Sequence, residues 1–266
     1  MSKITIFFKR TYIILILLIF YAPLLMAAIF SFNTPPKRGD MSFNNWNGFS
    51  LKGFFELGEN HILMALVNSV IMGVIVSVIV VIISLITVYA LWRQKQKVYK
   101  LFVDTTANIP LINPDIVSAV ALAITFGLIF GTLGLLDSGM WRAIISHVVV
   151  ILPYGIIIMY PRSSKFDKSL LEASYDLGYG AIKSWFKTYF RHMMPVIVAS
   201  FVIALTLSFD DFILTRITAK VETIGVVLYS SNIKNWVLML GTILLFITVG
   251  GSVLYSLWKG RKSEKG

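Results

Sequence analysis

The apolar and polar positions alternate on a long scale: six apolar runs separated by polar stretches, most of them short. A bilayer core of about 30 Å needs about 20 helical residues. The runs predict spans over about 12–32, 62–91, 114–136, 141–160, 194–215 and 236–258. The first starts at Tyr12 behind Lys3, Lys9 and Arg10, and nothing more polar than Pro23 interrupts it as far as Phe30. A signal peptide shares the charged start but has an apolar region of only about 7–15 residues, so an uncleaved first helix is expected. The second run is long enough to tilt or project beyond the bilayer. Pro110 and the Asn113-Pro114 pair open the third, reading as an N-cap and a first helical turn. Trp236 and Trp258 bracket the sixth with aromatics suited to the membrane interface.

Composition agrees with the pattern. Of 266 residues, 57% are apolar and 14% charged, against about 45–50% and about 25% in a soluble domain. The absence of cysteine excludes disulfide frameworks, Cys-based zinc sites and thiol catalysis. The net charge of +11 has a location: segments 3–10, 93–100, 162–191 and 259–265 hold seventeen of the 24 Lys and Arg residues. The positive-inside rule then orients six spans with both termini cytoplasmic. The basic excess is a topology signal, with no nucleic-acid partner implied. It conceals three acids in or at the edge of apolar runs: Asp115, Asp210 and Asp211.

Helices in lipid associate through close approach of small residues. The second run offers Ser69, Gly73 and Ser77, and the third Ala119, Ala123, Gly127 and Gly131, each set at every fourth position. The fifth carries Ser200, Ala204, Ser208, Asp211 and Thr215, which fall within about 80° of one another on a continuous helix. That is a small and polar face ending in a carboxylate. Two readings stand: the acids cap a helix end, or they line a polar passage and meet a cation from a substrate or another chain. No Lys or Arg lies inside the apolar cores to pair with them. His61, His147 and His192 sit on different segments without metal-ligand spacing.

The largest stretch between spans on the cytoplasmic side of this topology, 161–193, reads as two short helices, Lys168–Leu177 and Ala181–Phe190, broken at Gly178-Tyr179-Gly180. Leu170, Ala173, Ser174 and Leu177 make one apolar edge, while Glu172 and Asp176 repel each other on another. Lys183-Ser184 ends this stretch as a P-loop ends, but Ile182 stands where that motif needs glycine. No nucleotide site is expected, and no clustered nucleophile and base suggest an enzyme.

Leu171-Glu172-Ala173-Ser174, then Leu177-Gly178, then Met194-Pro195 resemble the EAA loop of the permease subunits of ABC importers, roughly E-A-A-x-x-x-G followed by I-x-L-P. Glu172, Ala173, Gly178 and Pro195 match; Ser174, His192 and Met194 depart mildly. Residues 113–117, 146–153, 166–167 and 206–211 further resemble the second permease subunit of spermidine/putrescine importers. The resemblance implies a type I importer permease (MetI-like) bundle, all-α, forming a single domain over 1–266 in the cell membrane. It implies partners: a sister permease, a dimer of ATP-binding subunits that hold ATP and Mg, and an extracytoplasmic polyamine-binding protein. It makes 161–193 a coupling loop docking on the ATPase through Glu172, Ala173, Ser174, Leu177, Gly178 and Pro195. It gives this chain no cofactor and no catalytic residue. Asp115, Ser208, Asp210 and Asp211 become candidates for the passage of a cationic chain, which needs carboxylates and aromatic faces. The competing readings are a permease for a different small solute and a stand-alone secondary transporter or channel.

Overall fold

The computed structural model describes residues 3–36, 41, 43–94, 101, 105, 112, 114–133, 139–231 and 234–263. Regular structure among them is helical, with one isolated antiparallel bridge between Asn33 and Phe49. The helices are α1 (Lys3–Phe30), α2 (Lys52–Glu56), α3 (Asn60–Arg93), α4 (Asp115–Leu133), α5 (Met140–Ser163), α6 (Ser169–Asp176) and α7 (Ala181–Trp185). They continue with α8 (Arg191–Phe209), α9 (Ile213–Thr218), α10 (Ile224–Ser230) and α11 (Asn235–Ser263). Four stretches are long and apolar enough to cross a membrane: Thr11–Phe30, His61–Arg93, Met140–Ser163 and Ala181–Phe209. Asp115–Ile129 and Asn235–Gly251 are shorter apolar helices. The expectations for Pro110, Asn113 and residues 134–136 lie outside the described residues, as does the side chain of Trp258.

The chain divides into two compact units, Met1–Leu63 with Ser230–Gly266, and Met64–Tyr229. In the first, α11 packs against α1 and α2. Gly53 permits this approach, since a Cβ there would lie 3.0 Å from the Asn235 backbone. The buried Asn235 amide, oriented to satisfy both its ends, donates to the Ser31 carbonyl (2.8 Å) and accepts from the Gly53 N–H (3.2 Å). Trp236 is only 4% exposed. It is a core residue of this unit.

The second unit holds the candidate sites. The Ser69–Gly73–Ser77 ridge is buried. The Ser77 hydroxyl satisfies itself on the Gly73 carbonyl (2.6 Å), and Gly73 lies against Leu205 of α8. The ridge of the third run behaves differently. Ala119 is fully buried, but nothing stands within 4 Å of a Cβ placed at Gly127. Its small residues therefore do not form one continuous contact within this chain. Among the described glycines, the tightest contact falls at Gly155 of α5, where an added Cβ would overlap the Ser84 side chain and stand 2.9 Å from Val80. Both neighbours belong to α3, and Val80 is fully buried. Gly155→Leu is therefore expected to prevent α3 and α5 from closing. Overpacking costs about 1–3 kcal/mol where neighbours can shift, and more against two occupied helix faces. The expected result is loss of a monodisperse chain on size-exclusion chromatography in detergent, with Gly155→Ala intermediate.

Two elements depart from the sequence expectation. Residues 181–190 are not a free short helix: α7 passes through a π turn at Phe186–Phe190 directly into α8. The extra residue of a π turn rotates the face that follows it, and an unbroken backbone ladder costs less than a second set of unsatisfied ends. The fifth run, expected as one helix to 215, stops at Phe209 and restarts as α9. The break falls at Asp210-Asp211, where the Asp211 carboxylate takes the Leu214 N–H, as a short carboxylate that favours caps over helix interiors does.

Candidate functional site: an acid turn and a docking helix

The acid turn is built from the end of α8 upward. Ser200, Ala204 and Ser208 are all buried on α8, which packs on α5. Past Phe209, the Asp211 Oδ1 accepts the Leu214 N–H at 2.8 Å, satisfying a first-turn donor of α9. Asp211 is thus half-buried and capping, while Asp210 is exposed. Gly225 of α10 lies against this turn so closely that a Cβ would stand 2.7 Å from the Asp210 carbonyl oxygen. Helix α4 packs on α9 and brings exposed Asp115 to the end of α8, where a third span running outward from residue 114 would not place it. Asp115 and Asp210 both lie near enough to Asp211 for their charges to repel it. Among the described residues, none of these three carboxylates forms an ion pair. Beside them, Phe212 stacks on Tyr229 with ring centroids 4.0 Å apart and planes 14° from parallel.

Ser208 stands differently from its expected place on an open face. It is fully buried, its hydroxyl 3.0 Å from His147 Nδ1, and His147 Nε2 lies 2.9 Å from Thr215 Oγ1. The break displaces Asp211 and Thr215 from the ideal helical face, yet Thr215 returns to the same buried position through α9. In the sequence His147 lacks metal-ligand spacing and falls in the 146–153 stretch of the resemblance, and neither points to this hydrogen-bonding role. The available signal was a histidine in the middle of an apolar run, a position that requires hydrogen-bonding partners.

The second feature is α6. Asp167 Oδ1 accepts the Ser169 N–H at 2.9 Å, and the hydrogen bonds from Ser169 hold its carboxyl below the usual carboxylate range. The apolar edge is divided. Leu171 and Ser174 turn inward, the Ser174 hydroxyl closing on the Leu171 carbonyl (2.7 Å), while Leu170, Ala173 and Leu177 face outward. Leu177 is 74% exposed. Glu172 pairs with Lys168 at 3.1 Å on the open surface, a contact of small energetic value.

Gly178 has φ +77°, with its own N–H on the Tyr175 carbonyl (2.8 Å) and the Tyr179 N–H on the Ser174 carbonyl (3.2 Å). This is a Schellman termination, which needs the left-handed conformation glycine adopts without strain. Tyr179 then lies under Lys183 and Lys187, their ammonium nitrogens 4.8 and 4.2 Å from its ring centre. Lys187 also donates to the phenol oxygen (3.1 Å), which lowers the phenol's pKa. Pro195 is exposed and lies inside α8, just past its first turn.

What holds α6 in place was not legible from spacing. Tyr189 is fully buried among Tyr89, Trp92, Phe166 and Trp185, its hydroxyl 2.7 Å from Ser163 Oγ. The Trp92 indole donates to the Phe166 carbonyl (3.0 Å). Between the end of α3 and α6 a cleft of about 430 Å³ is lined by Tyr89, Trp92, Arg93, Lys168, Leu171, Glu172 and Tyr175.

The family described as binding-protein-dependent transport system inner membrane component matches residues 82–260. That stretch contains both features. The spermidine/putrescine transport system permease protein PotC homolog of Mycoplasma genitalium is 33% identical over 265 residues, 97% of this chain and 93% of that protein. The spermidine/putrescine transport system permease protein PotC of Escherichia coli (strain K12) is 30% identical over 235 residues, 86% and 85% of the two chains. The crystal structure of a bacterial ABC transporter involved in import of the acidic polysaccharide alginate contains a chain of similar fold. Its TM-score is 0.66 at 16% identity, covering 98% of each chain. With a family match over residues 82–260, which span α5 to α9, and a shared fold, the chain belongs to the family of binding-protein-dependent transport system inner membrane components.

Proposed function

We propose that this chain is the translocation subunit of an ATP-driven importer of polyamines, forming half of the passage for spermidine or putrescine. The observation that carries the substrate class is the acid turn: Asp115, Asp210 and Asp211 gather at one end of a bundle without a basic partner among the described residues. Uncompensated carboxylates at a membrane boundary are costly unless a cation arrives to meet them, and a polyamine is a flexible chain of ammonium groups. Stacked Phe212 and Tyr229 add an aromatic face. The relatives' printed substrates agree with that chemistry.

In this reading the chain makes six spans, with both termini and residues 161–193 in the cytoplasm, and acts as a single permease domain. Its partners are a sister permease, two ATP-binding subunits and an extracytoplasmic capture protein. Helix α6 docks on the ATPase, with the outward Leu170, Ala173 and Leu177 against an apolar groove and Glu172 exchanging Lys168 for a basic group of the partner. ATP and Mg are held by that partner. Residues Ser174 and Pro195 shape the docking helix and the start of α8 from within this chain.

The test is uptake of labelled spermidine by cells lacking other polyamine importers and supplied with this chain and its neighbours. Excess spermidine or putrescine should compete, while neutral and acidic solutes of similar length should not. Competition by a neutral solute alone would assign the passage to a different cargo.

A further inference from the structure

We propose that His147 is a positioning residue for the acid turn: one imidazole ring holds the last turn of α8 and the first turn of α9, and so sets where Asp210 and Asp211 stand. The inference rests on the passage reading of those acids. His147 lies within α5 and is fully buried, as are its two partners, Ser208 and Thr215. Residues 209–214 between those partners contain the helix break and both acids. A helix interrupted at membrane depth survives only where protein groups satisfy what the break exposes.

A neutral imidazole has one donor and one acceptor, and both are used: Nε2 lies 2.9 Å from Thr215 Oγ1 and Nδ1 3.0 Å from Ser208 Oγ. Thr215 Oγ1 in turn stands 3.4 Å from the Asp211 carbonyl. The chain of bonds runs from α8 through α5 and α9 to the backbone of Asp211 itself. A second wall of the turn does not involve His147. Gly225 packs against the Asp210 carbonyl, and Ser69 Oγ of α3 accepts the Ile224 N–H at 2.8 Å, which fixes α10. Removing His147 therefore frees one wall of the turn and leaves the other in place, so the acids shift while the bundle persists.

The chain has no cysteine, so Asp210→Cys supplies a single reporter thiol at an exposed position. In the assembled importer, its rate of modification by a cationic methanethiosulfonate reports where the turn stands. His147→Phe, which fills the space without hydrogen bonds, is expected to change that rate about tenfold, and His147→Gln to recover it to within about threefold. With the natural acids in place, His147→Phe should raise the KM for spermidine about tenfold and keep the maximal rate within about twofold. Thr215→Val should give the same KM shift, and the pair should be non-additive.

An unchanged labelling rate would overturn the proposal, and so would a fall in maximal rate at constant KM, the mark of a purely structural role. If His147→Phe fails to assemble, Thr215→Val and Ser208→Ala carry the same readouts. If Asp211→Asn leaves polyamine uptake unchanged, the passage reading fails, and the labelling rates still decide whether His147 sets the turn.

Discussion

Gly178→Trp is expected to abolish ATP-driven uptake while leaving the chain folded and inserted in the membrane. Gly178 ends α6 at φ +77°, and a residue with a Cβ pays about 1–2 kcal/mol to hold that conformation. Nothing lies within 4 Å of the position a Cβ would occupy, so the substitution causes no clash in the core. The effect falls on direction. The Schellman bonds from Gly178 and Tyr179 turn the chain from α6 into α7, and relaxing them re-aims the outward Leu170, Ala173 and Leu177. An indole beside the 74% exposed Leu177 then covers the docking face as well. Glu172→Lys should act in the same direction through charge, since it removes the carboxylate and places a second cation beside Lys168. Co-purification of the ATP-binding subunits and substrate-stimulated ATP hydrolysis are the measurements. Retention of both in Gly178→Trp would remove α6 from the coupling role.

Neutralising the acid turn is the second large effect. The double variant Asp210→Asn/Asp211→Asn is expected to lower spermidine uptake at least about 100-fold, equivalent to about 3 kcal/mol at 1.4 kcal/mol per factor of ten. Asparagine separates charge from architecture. Its side-chain oxygen can still accept the Leu214 N–H that Asp211 accepts at 2.8 Å, and it is as good a cap as aspartate. Asp211→Ala loses the charge and the cap together, and the lost cap adds a destabilisation of about 1 kcal/mol. Uptake should therefore fall in both, while thermal stability in detergent falls only in Asp211→Ala. Asp115→Asn should reduce uptake by less than the double variant, because it removes one carboxylate contributed from α4 and leaves both of those in the turn itself.

Much of the fold was legible in the sequence. Apolar length announced the apolar stretch Thr11–Phe30 of α1, and α3 and α5 as whole helices, to within a few residues, because a membrane-spanning helix must satisfy its own backbone over its apolar segment. Gly178 announced the break after α6, because glycine is the residue that a left-handed termination requires. Helical periodicity failed at Asp210, where it assumed that the helix continues. Two adjacent carboxylates at the end of an apolar run were a stop signal, and Asp211 acts as a cap. On α6 periodicity was a partial guide. Leu170, Ala173 and Leu177 of the expected edge are exposed, while Ser174 of that edge and Leu171 beside it are buried, because the aromatic cluster around Tyr189 decides which side of α6 faces the bundle. Contacts of that kind join residues as far apart as Trp92 and Phe166, and no local pattern records them. The same holds for His147, whose partners lie 61 and 68 residues away.

Reconstitution tests the central claim most directly. The chain, its sister permease and the ATP-binding subunits would be placed in proteoliposomes with ATP inside and the capture protein outside, and labelled spermidine uptake measured with Asp115, Asp210 and Asp211 intact or all replaced by asparagine. The account predicts ATP-dependent accumulation with the natural acids and its loss in the triple variant, while the assembly and its basal ATP hydrolysis persist. Undiminished uptake by the triple variant, or accumulation by this chain alone without ATP, would contradict it.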